Sequence, residues 1–262
     1  MSEELQKKIE ALWENDEEDR ACVQKVLDGL DSGELRLAQK ENGIWTVKEY
    51  LKKAILLYLR HTKSTVMYGN GGNFFDKMPL KTCNWEKANF ELAGFRTVPG
   101  SIIRYSAYVA ASSVIMPCFI NVGAFIDEGS MIDAHASVGS CAQIGRRCHI
   151  SDGVTIGGVL EPPQAIPVII EDNCFIGARS AVLEGVIVEE GSVLAAGTIL
   201  SASTKIINRE TGSADFGRIP PYSVVVPGSY PSGGVNICCA VIVKRVDAQT
   251  RRKVSINELL RY

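Results

Sequence analysis

The run SMIDAHAS, residues 130–137, sets an aspartate and a histidine two apart, Asp133 and His135. An imidazole, with an ordinary pKa of about 6.5, suits proton removal near neutrality better than a carboxylate at about 3.9. The carboxylate suits that task once burial or a neighbour raises its pKa. Arg96 stands in AGFRTVPG and Arg179 in GARS. A guanidinium presents its donors as a fork that fits a carboxylate bidentately. Other chemistries find less support. The eight cysteines include no C-x-x-C pair and read as small buried thiols in a reducing compartment. There is no G-x-x-x-x-G-K-[ST] phosphate loop. His61 and His149 read as structural, and with His61 outside the repeats described next, no three histidines converge as a zinc set. No metal is expected.

The element that must position these groups announces itself by a period of six. Val138, Ile144, Ile150 and Ile156 stand six apart, and the frame runs upstream through Ile132, Ile126, Ile120, Val114, Tyr108 and Ile102. It breaks after Ile156 at GGVLEPPQAIPVII and resumes, shifted by two, at Ile170, Ile176, Val182, Val188, Leu194 and Leu200. Four residues after each aliphatic comes a small or short side chain, among them Ser106, Ser112, Cys118, Ala124, Cys148 and Cys174. Six is neither the helix period nor the strand period. Hexads of this kind predict a parallel β-helix of about five three-sided coils, with the aliphatic inward and the small residue beside it. Asp133 falls at a coil corner, a slot Asp127 also occupies one hexad earlier. A corner aspartate can also serve only to accept backbone hydrogen bonds.

Residues 1–95 lack the hexad. Leu5, Ile9, Leu12 and Trp13, then Val23, Val26, Leu27 and Leu30, fall at helical spacing. Asn42-Gly43 marks a hairpin, and KEYLKKAILLYLRHT reads as a further helix, followed by a loop-rich stretch. The expected organisation is a small, mostly helical N-terminal domain over 1–95 and a β-helix over 96–206. A loop inserted near 158–169 projects from the coils, and a C-terminal β/α cap over 207–262 ends in a short helix. Such a cap would cover the open strand edges. A net charge of −2 without a basic patch argues against nucleic acid. No run of eighteen apolar residues suggests a membrane span, and the acidic N-terminus lacks a signal-peptide core, so a cytoplasmic location is expected.

The phrases LDSGELRLA, FDKMPLK, GFRTVPG, NVGAFIDEGSMID, VGSCAQIG, GGVLEPPQA, IIEDNCFIGARS and VKRVDAQTRRKVSINELLR resemble the tetrahydrodipicolinate N-succinyltransferase family, from about Leu30 to Arg261. FIGARS is shared by many hexapeptide enzymes, whereas GGVLEPPQA and VKRVDAQTRRKVSINELLR are far more specific. The resemblance implies a left-handed β-helix and a homotrimer with active sites between neighbouring helices. It also implies transfer from succinyl-CoA to the amine of ring-opened tetrahydrodipicolinate in diaminopimelate and lysine biosynthesis. Such a site aligns amine and thioester, removes a proton and stabilises the oxyanion, without a covalent acyl-enzyme.

Carried onto this chain, the resemblance puts Asp133 at the substrate amine and Arg96 on a carboxylate of the acceptor; a domain-linking salt bridge is the alternative for Arg96. Arg179 would meet the acceptor or the succinyl carboxylate, or serve only at the surface. The pantetheine arm would pass Gly158, Ala178, Ala195, Ala196 and Gly197, small residues that tight coils also need. Lys205, Lys244 and Arg245 are candidates for the coenzyme A phosphates. Two departures lie near the implied site. Ala181 stands where the family phrase G-A-R-S-E has a glutamate, and Ala134-His135 where it has Thr-Trp. Glu184, three residues on, occupies another hexad position. His135 is thereby a second candidate base, or a corner histidine at the trimer interface. The alternative function is a paralogous acyltransferase of acetyl-CoA-dependent, tabtoxin-pathway type acting on a related amino dicarboxylate.

Overall fold

The computed structural model describes residues 2–69, 72–247 and 250. Helices α1 (Ser2–Asn15), α2 (Arg20–Ser32) and α3 (Glu49–His61) pack around a shared apolar core. The stripe at helical spacing is the buried one: Ile9, Leu12, Val23, Val26, Leu27 and Leu30 are all buried. The Asp19 carboxylate caps α2 by accepting from the Cys22 N–H at 2.9 Å. Strands β1 (Ala38–Glu41) and β2 (Ile44–Val47) form the hairpin around Asn42-Gly43. The stretch expected as loop holds more order: a second hairpin of β3 (Thr65–Gly69) and β4 (Gly72–Asp76), then the short helix α4 (Lys87–Ala93). A reciprocal capping box between Glu86 and Asn89 starts α4.

From Arg96 onward each hexad contributes one two-residue strand, and the strands stack in parallel on three faces. The first face carries Arg96–Thr97, Val114–Ile115, Met131–Ile132, His149–Ile150, Phe175–Ile176 and Val193–Leu194. The second begins with Ile102–Ile103 and Phe119–Ile120 and continues through Ser137–Val138, Thr155–Ile156, Ala181–Val182 and Ile199–Leu200. The third starts at Tyr108–Val109. From Ile103 onward the second residue of each of these strands points inward, giving one continuous buried column of Val, Ile and Leu.

The frame needs one correction. In the first three hexads the inward residues are Ile103, Val109 and Ile115, not Ile102, Tyr108 and Val114. Ile102 is 39% exposed. The turn of Met116, Pro117 and Cys118 is one residue shorter than its successors and restores the frame at Ile120. Accordingly Ala107 and Ser113 fill the small inward positions expected of Ser106 and Ser112. Tyr108 instead faces α2: a side chain at its C-cap Gly33 (φ +79) would collide with the Tyr108 ring at 2.6 Å.

The inserted loop leaves the coils intact on both sides but is tied to the N-terminal domain. Lys52 of α3 is fully buried and donates to the Ala165 carbonyl at 2.5 Å, and Leu160 packs on the helical core. The coil register, expected to end near residue 206, re-enters at Ile219 and Val225, both fully buried. A ribbon of Ser223–Ser232 and Val235–Arg245 then closes the open end, with Ala240 and Ile242 in the prism core. The short helix expected in the cap lies outside the described residues.

The N-terminal domain covers two edges of the prism. Ile55 of α3 packs at Gly123, and Val122 and Cys141 join the helical core. Arg36 lies over the Phe125 ring at 4.0 Å, and Lys40 and Trp45 both donate to Glu171 Oε1, at 2.6 and 2.8 Å. Among the described residues the edge between the first and second faces stays open, and this is the edge that carries Asp133.

Candidate active site

From Asp133 onward each turn of this edge spans four residues, and the hexad stacks equivalent positions coil upon coil. Asp133, Ser151, Gly177 and Ala195 form one column, Ala134, Asp152, Ala178 and Ala196 the next. The third column is left-handed backbone: His135 (φ +58), Gly153 (+64), Arg179 (+57) and Gly197 (+72). Their N–H groups donate to carbonyls of the preceding coil: Pro117 at 2.8 Å, Ala134 at 2.9, Asp152 at 3.0 and Ala178 at 2.9. The corner is therefore a rigid ladder, and side chains leave it at fixed positions.

Asp133 Oδ1 accepts the Ala134 N–H at 2.8 Å, the local bond expected of a corner aspartate. Its Oδ2 lies 3.8 Å from His149 Nε2. His149 is the outward residue of the strand directly beneath Met131, with its ring 5.0 Å from that of Phe175. Its imidazole is largely buried, and that burial pushes its pKa below the usual value while Asp133 pulls it back up. Cys118 is pushed up to about 12 by burial and by Asp133, so it stays a protonated thiol. Asp127, in the same hexad slot on another edge, lies 3.6 Å from Arg36 and 3.7 Å from Arg146.

His135 is held by Asp152 of the next coil. Its side chain is 81% exposed and its Nδ1 is 3.1 Å from Asp152 Oδ1, which fixes Nδ1 as the donor. Asp152 and His149 are the two groups of this edge that spacing along the chain did not single out. The coil register could have found them, since eighteen residues separate Met131 from its neighbour His149, and the same step leads from Ala134 to Asp152.

Arg96 is exposed on the first face, two strands before Met131 in the column Arg96, Val114, Met131. At about 4.8 Å per strand that puts its backbone roughly 10 Å from Met131, a separation that a long arginine on one side and a dicarboxylate between can bridge. Arg179 is exposed on the ladder, its stem beside Gly153. Ala178, Ala195, Ala196 and Gly197 share this edge, and Gly197 faces open space. Gly158 does not: it lies on the edge between the second and third faces, packed against Gly139 and Ser140. Glu184 lies on that same other edge, accepting from the Ala202 N–H at 3.0 Å. Ala181 is outward on the second face between Thr155 and Ile199, and brings no carboxylate to the site. Lys205, Lys244 and Arg245 are spread along the ribbon: Lys205 precedes a strand that pairs at Ala240, whereas Lys244 and Arg245 lie at the other end, beside Val224 and Ser223. Lys205 Nζ sits 3.9 Å above the Tyr230 ring, Lys244 pairs with Asp247 at 2.6 Å, and Arg245 donates to the Pro221 carbonyl. Among the described residues no three His, Cys, Asp or Glu side chains are grouped to hold a metal, and no helix is long and apolar enough to cross a membrane.

An exposed edge holding a carboxylate, a sheltered imidazole, arginines and small residues suits proton removal from an anionic acceptor against a second, elongated substrate. Comparison with known proteins narrows the class. Residues 4–61 match the profile described as tetrahydrodipicolinate N-succinyltransferase N-terminal, 123–158 that of the bacterial transferase hexapeptide, and 167–202 that of the hexapeptide repeat of succinyl-transferase. Similar curated proteins are named 2,3,4,5-tetrahydropyridine-2,6-dicarboxylate N-succinyltransferase. That of Rhodospirillum rubrum is 56% identical over 274 residues, covering 98% of this chain and 97% of its own. That of Parvibaculum lavamentivorans is 54% identical over 252 residues, covering 92% and 90%. A Campylobacter jejuni structure described as a 2,3,4,5-tetrahydropyridine-2-carboxylate N-succinyltransferase has a TM-score of 0.51 at 16% identity. It covers 88% of this chain and 63% of its own, a likeness of fold.

Proposed function

The chain belongs to the tetrahydrodipicolinate N-succinyltransferase family, hexapeptide-repeat acyltransferases built on a left-handed parallel β-helix, and from that premise we propose how its open edge works. The protein transfers a succinyl group from succinyl-CoA to the amine of ring-opened tetrahydrodipicolinate. The amine nitrogen attacks the thioester carbonyl, the N–C bond forms, and the C–S bond breaks. The proton lost by nitrogen ends on the sulfur of coenzyme A. Asp133 takes that proton first, Arg96 grips a carboxylate of the acceptor, and Arg179 meets a second carboxylate of acceptor or donor.

The pantetheine arm runs down the same edge past Ala178, Ala195, Ala196 and Gly197, toward Lys205, Lys244 and Arg245. Gly158, on the neighbouring edge, would meet it only from a second copy of the chain. Three copies assemble. The apolar second face, with Ile102 39%, Phe119 37% and Ile199 61% exposed, supports this, as do Tyr68 at 82% and Phe75 at 72% on the β3–β4 hairpin. A biosynthetic enzyme drawing on succinyl-CoA works in the cytoplasm.

The observation that carries the assignment of the base is the contrast at one hexad slot: Asp127 is held by two arginines, whereas Asp133 turns one oxygen to a sheltered imidazole and the open edge. Asp133→Asn keeps the Ala134 bond and removes the base. It is expected to lower kcat by about 10²-fold or more with the fold intact, measured by thiol release from succinyl-CoA. Unchanged turnover would remove Asp133 from the mechanism. The His135–Asp152 pair favours a second reading, in which His135 is the base of an enzyme with altered donor or acceptor preference. Loss of activity in His135→Ala but not in Asp133→Asn would establish it.

A further inference from the structure

His149 touches no candidate substrate position directly, yet its imidazole faces the carboxylate oxygen that Asp133 leaves unbonded, 3.8 Å away. This distance is longer than a hydrogen bond. Contacts of this kind tighten when a substrate fills the site. Its strand lies between those of Met131 and Phe175, and the Phe175 ring packs 5.0 Å from the imidazole. Asp133 is the charged group that acts on it, and the thiol beside that carboxylate stays protonated. We propose that His149 is the positioning partner of Asp133: it sits as a neutral imidazole during amine attack and shares the proton that Asp133 removes. The inference rests on the reading of Asp133 as base.

The chemistry explains why a carboxylate suffices without the glutamate that Ala181 replaces. A lone, hydrated aspartate is a weak base toward an amine losing its proton. Once that proton reaches Asp133 Oδ2, it can pass to His149 Nε2, leaving an imidazolium–carboxylate pair in a sheltered corner. The proton is then held by an imidazole, a stronger base than a carboxylate, with the carboxylate beside it. The proton passes on to the thiolate of coenzyme A, and the pair returns to carboxylate and neutral imidazole. At low pH the pair is protonated before the amine arrives, and turnover falls.

The test is the pH profile of kcat/KM and kcat for the full-length enzyme with succinyl-CoA and tetrahydrodipicolinate. Three variants are compared with the unaltered chain: His149→Gln, His149→Phe and Asp133→Asn. His149→Phe keeps a ring on Phe175, so packing is preserved where His149→Gln would lose it. Both His149 variants are expected to lose roughly tenfold in kcat at neutral pH, with each KM within about twofold. Their acid limb is expected to move from the imidazole range into the carboxylate range, roughly two pH units. A merely structural histidine would lower the melting temperature and leave the limb in place. Wild-type limbs and kcat in both variants, with Asp133→Asn inactive, would overturn the role of His149 alone. Full activity in Asp133→Asn would overturn the base on which it depends.

Discussion

Asp127 and Asp133 share a slot in the hexad and differ in surroundings. Asp127 lies between Arg36 and Arg146, largely buried, and holds the N-terminal domain to the prism. Asp127→Asn is therefore expected to lower the melting temperature while leaving kcat near wild type, the reverse of Asp133→Asn, and thermal melts beside thiol release separate the two. The slot was legible in the sequence, but the difference between the two aspartates was not. It depends on which residues of other coils and of the N-terminal domain arrive at each corner, at separations of sixteen residues for His149 and ninety-one for Arg36. The same holds for His135, whose side-chain partner is Asp152, seventeen residues on, and not Asp133, two residues back. A left-handed turn residue points its side chain off the ladder, and here Asp152 of the next coil receives it.

At the scale of the element, the hexad column gave the three-sided architecture almost whole, because the inward position tolerates little but Val, Ile and Leu. It misread the first three hexads for a physical reason. Ile102–Ile103 and Val114–Ile115 are aliphatic at both strand positions, so a slip of one residue leaves an apparently unbroken column. Tyr108, the one aromatic in the frame, marked the slip. The β3–β4 hairpin and α4 were illegible because they lie in a stretch whose glycines and asparagines read as loop. Close packing of the coils predicts a ranking of two substitutions. A Cβ at Gly139 would lie 2.1 Å from the Gly158 nitrogen, a backbone atom that cannot swing aside. Gly139→Ala is expected to cost about 1–3 kcal/mol or more through overpacking at the root of the inserted loop. Gly197→Ala, facing open space in the left-handed region, is expected to cost only about 1 kcal/mol. Denaturant midpoints of the two variants check the order, and equal losses would contradict the packing described for that root.

At the scale of the molecule, the N-terminal domain is clamped to the prism through Lys52, Arg36, Lys40 and Trp45, which among the described residues leaves one edge and the second face open. The open face carries apolar side chains, and a trimer would bury them. Light scattering is expected to give about three times the 28.5 kDa chain mass, and Ile199→Asp to shift it toward the monomer with loss of turnover, since the site would lose its second wall. A monomer with full activity would exclude shared sites. Succinyl transfer to ring-opened tetrahydrodipicolinate is to be measured by thiol release with succinyl-CoA and acetyl-CoA in parallel, the product identified by mass. Rapid release is expected with succinyl-CoA, one thiol for each N-succinylated open-chain product, and little with acetyl-CoA. Turnover with acetyl-CoA alone, or thiol release without an acylated acceptor, would contradict it.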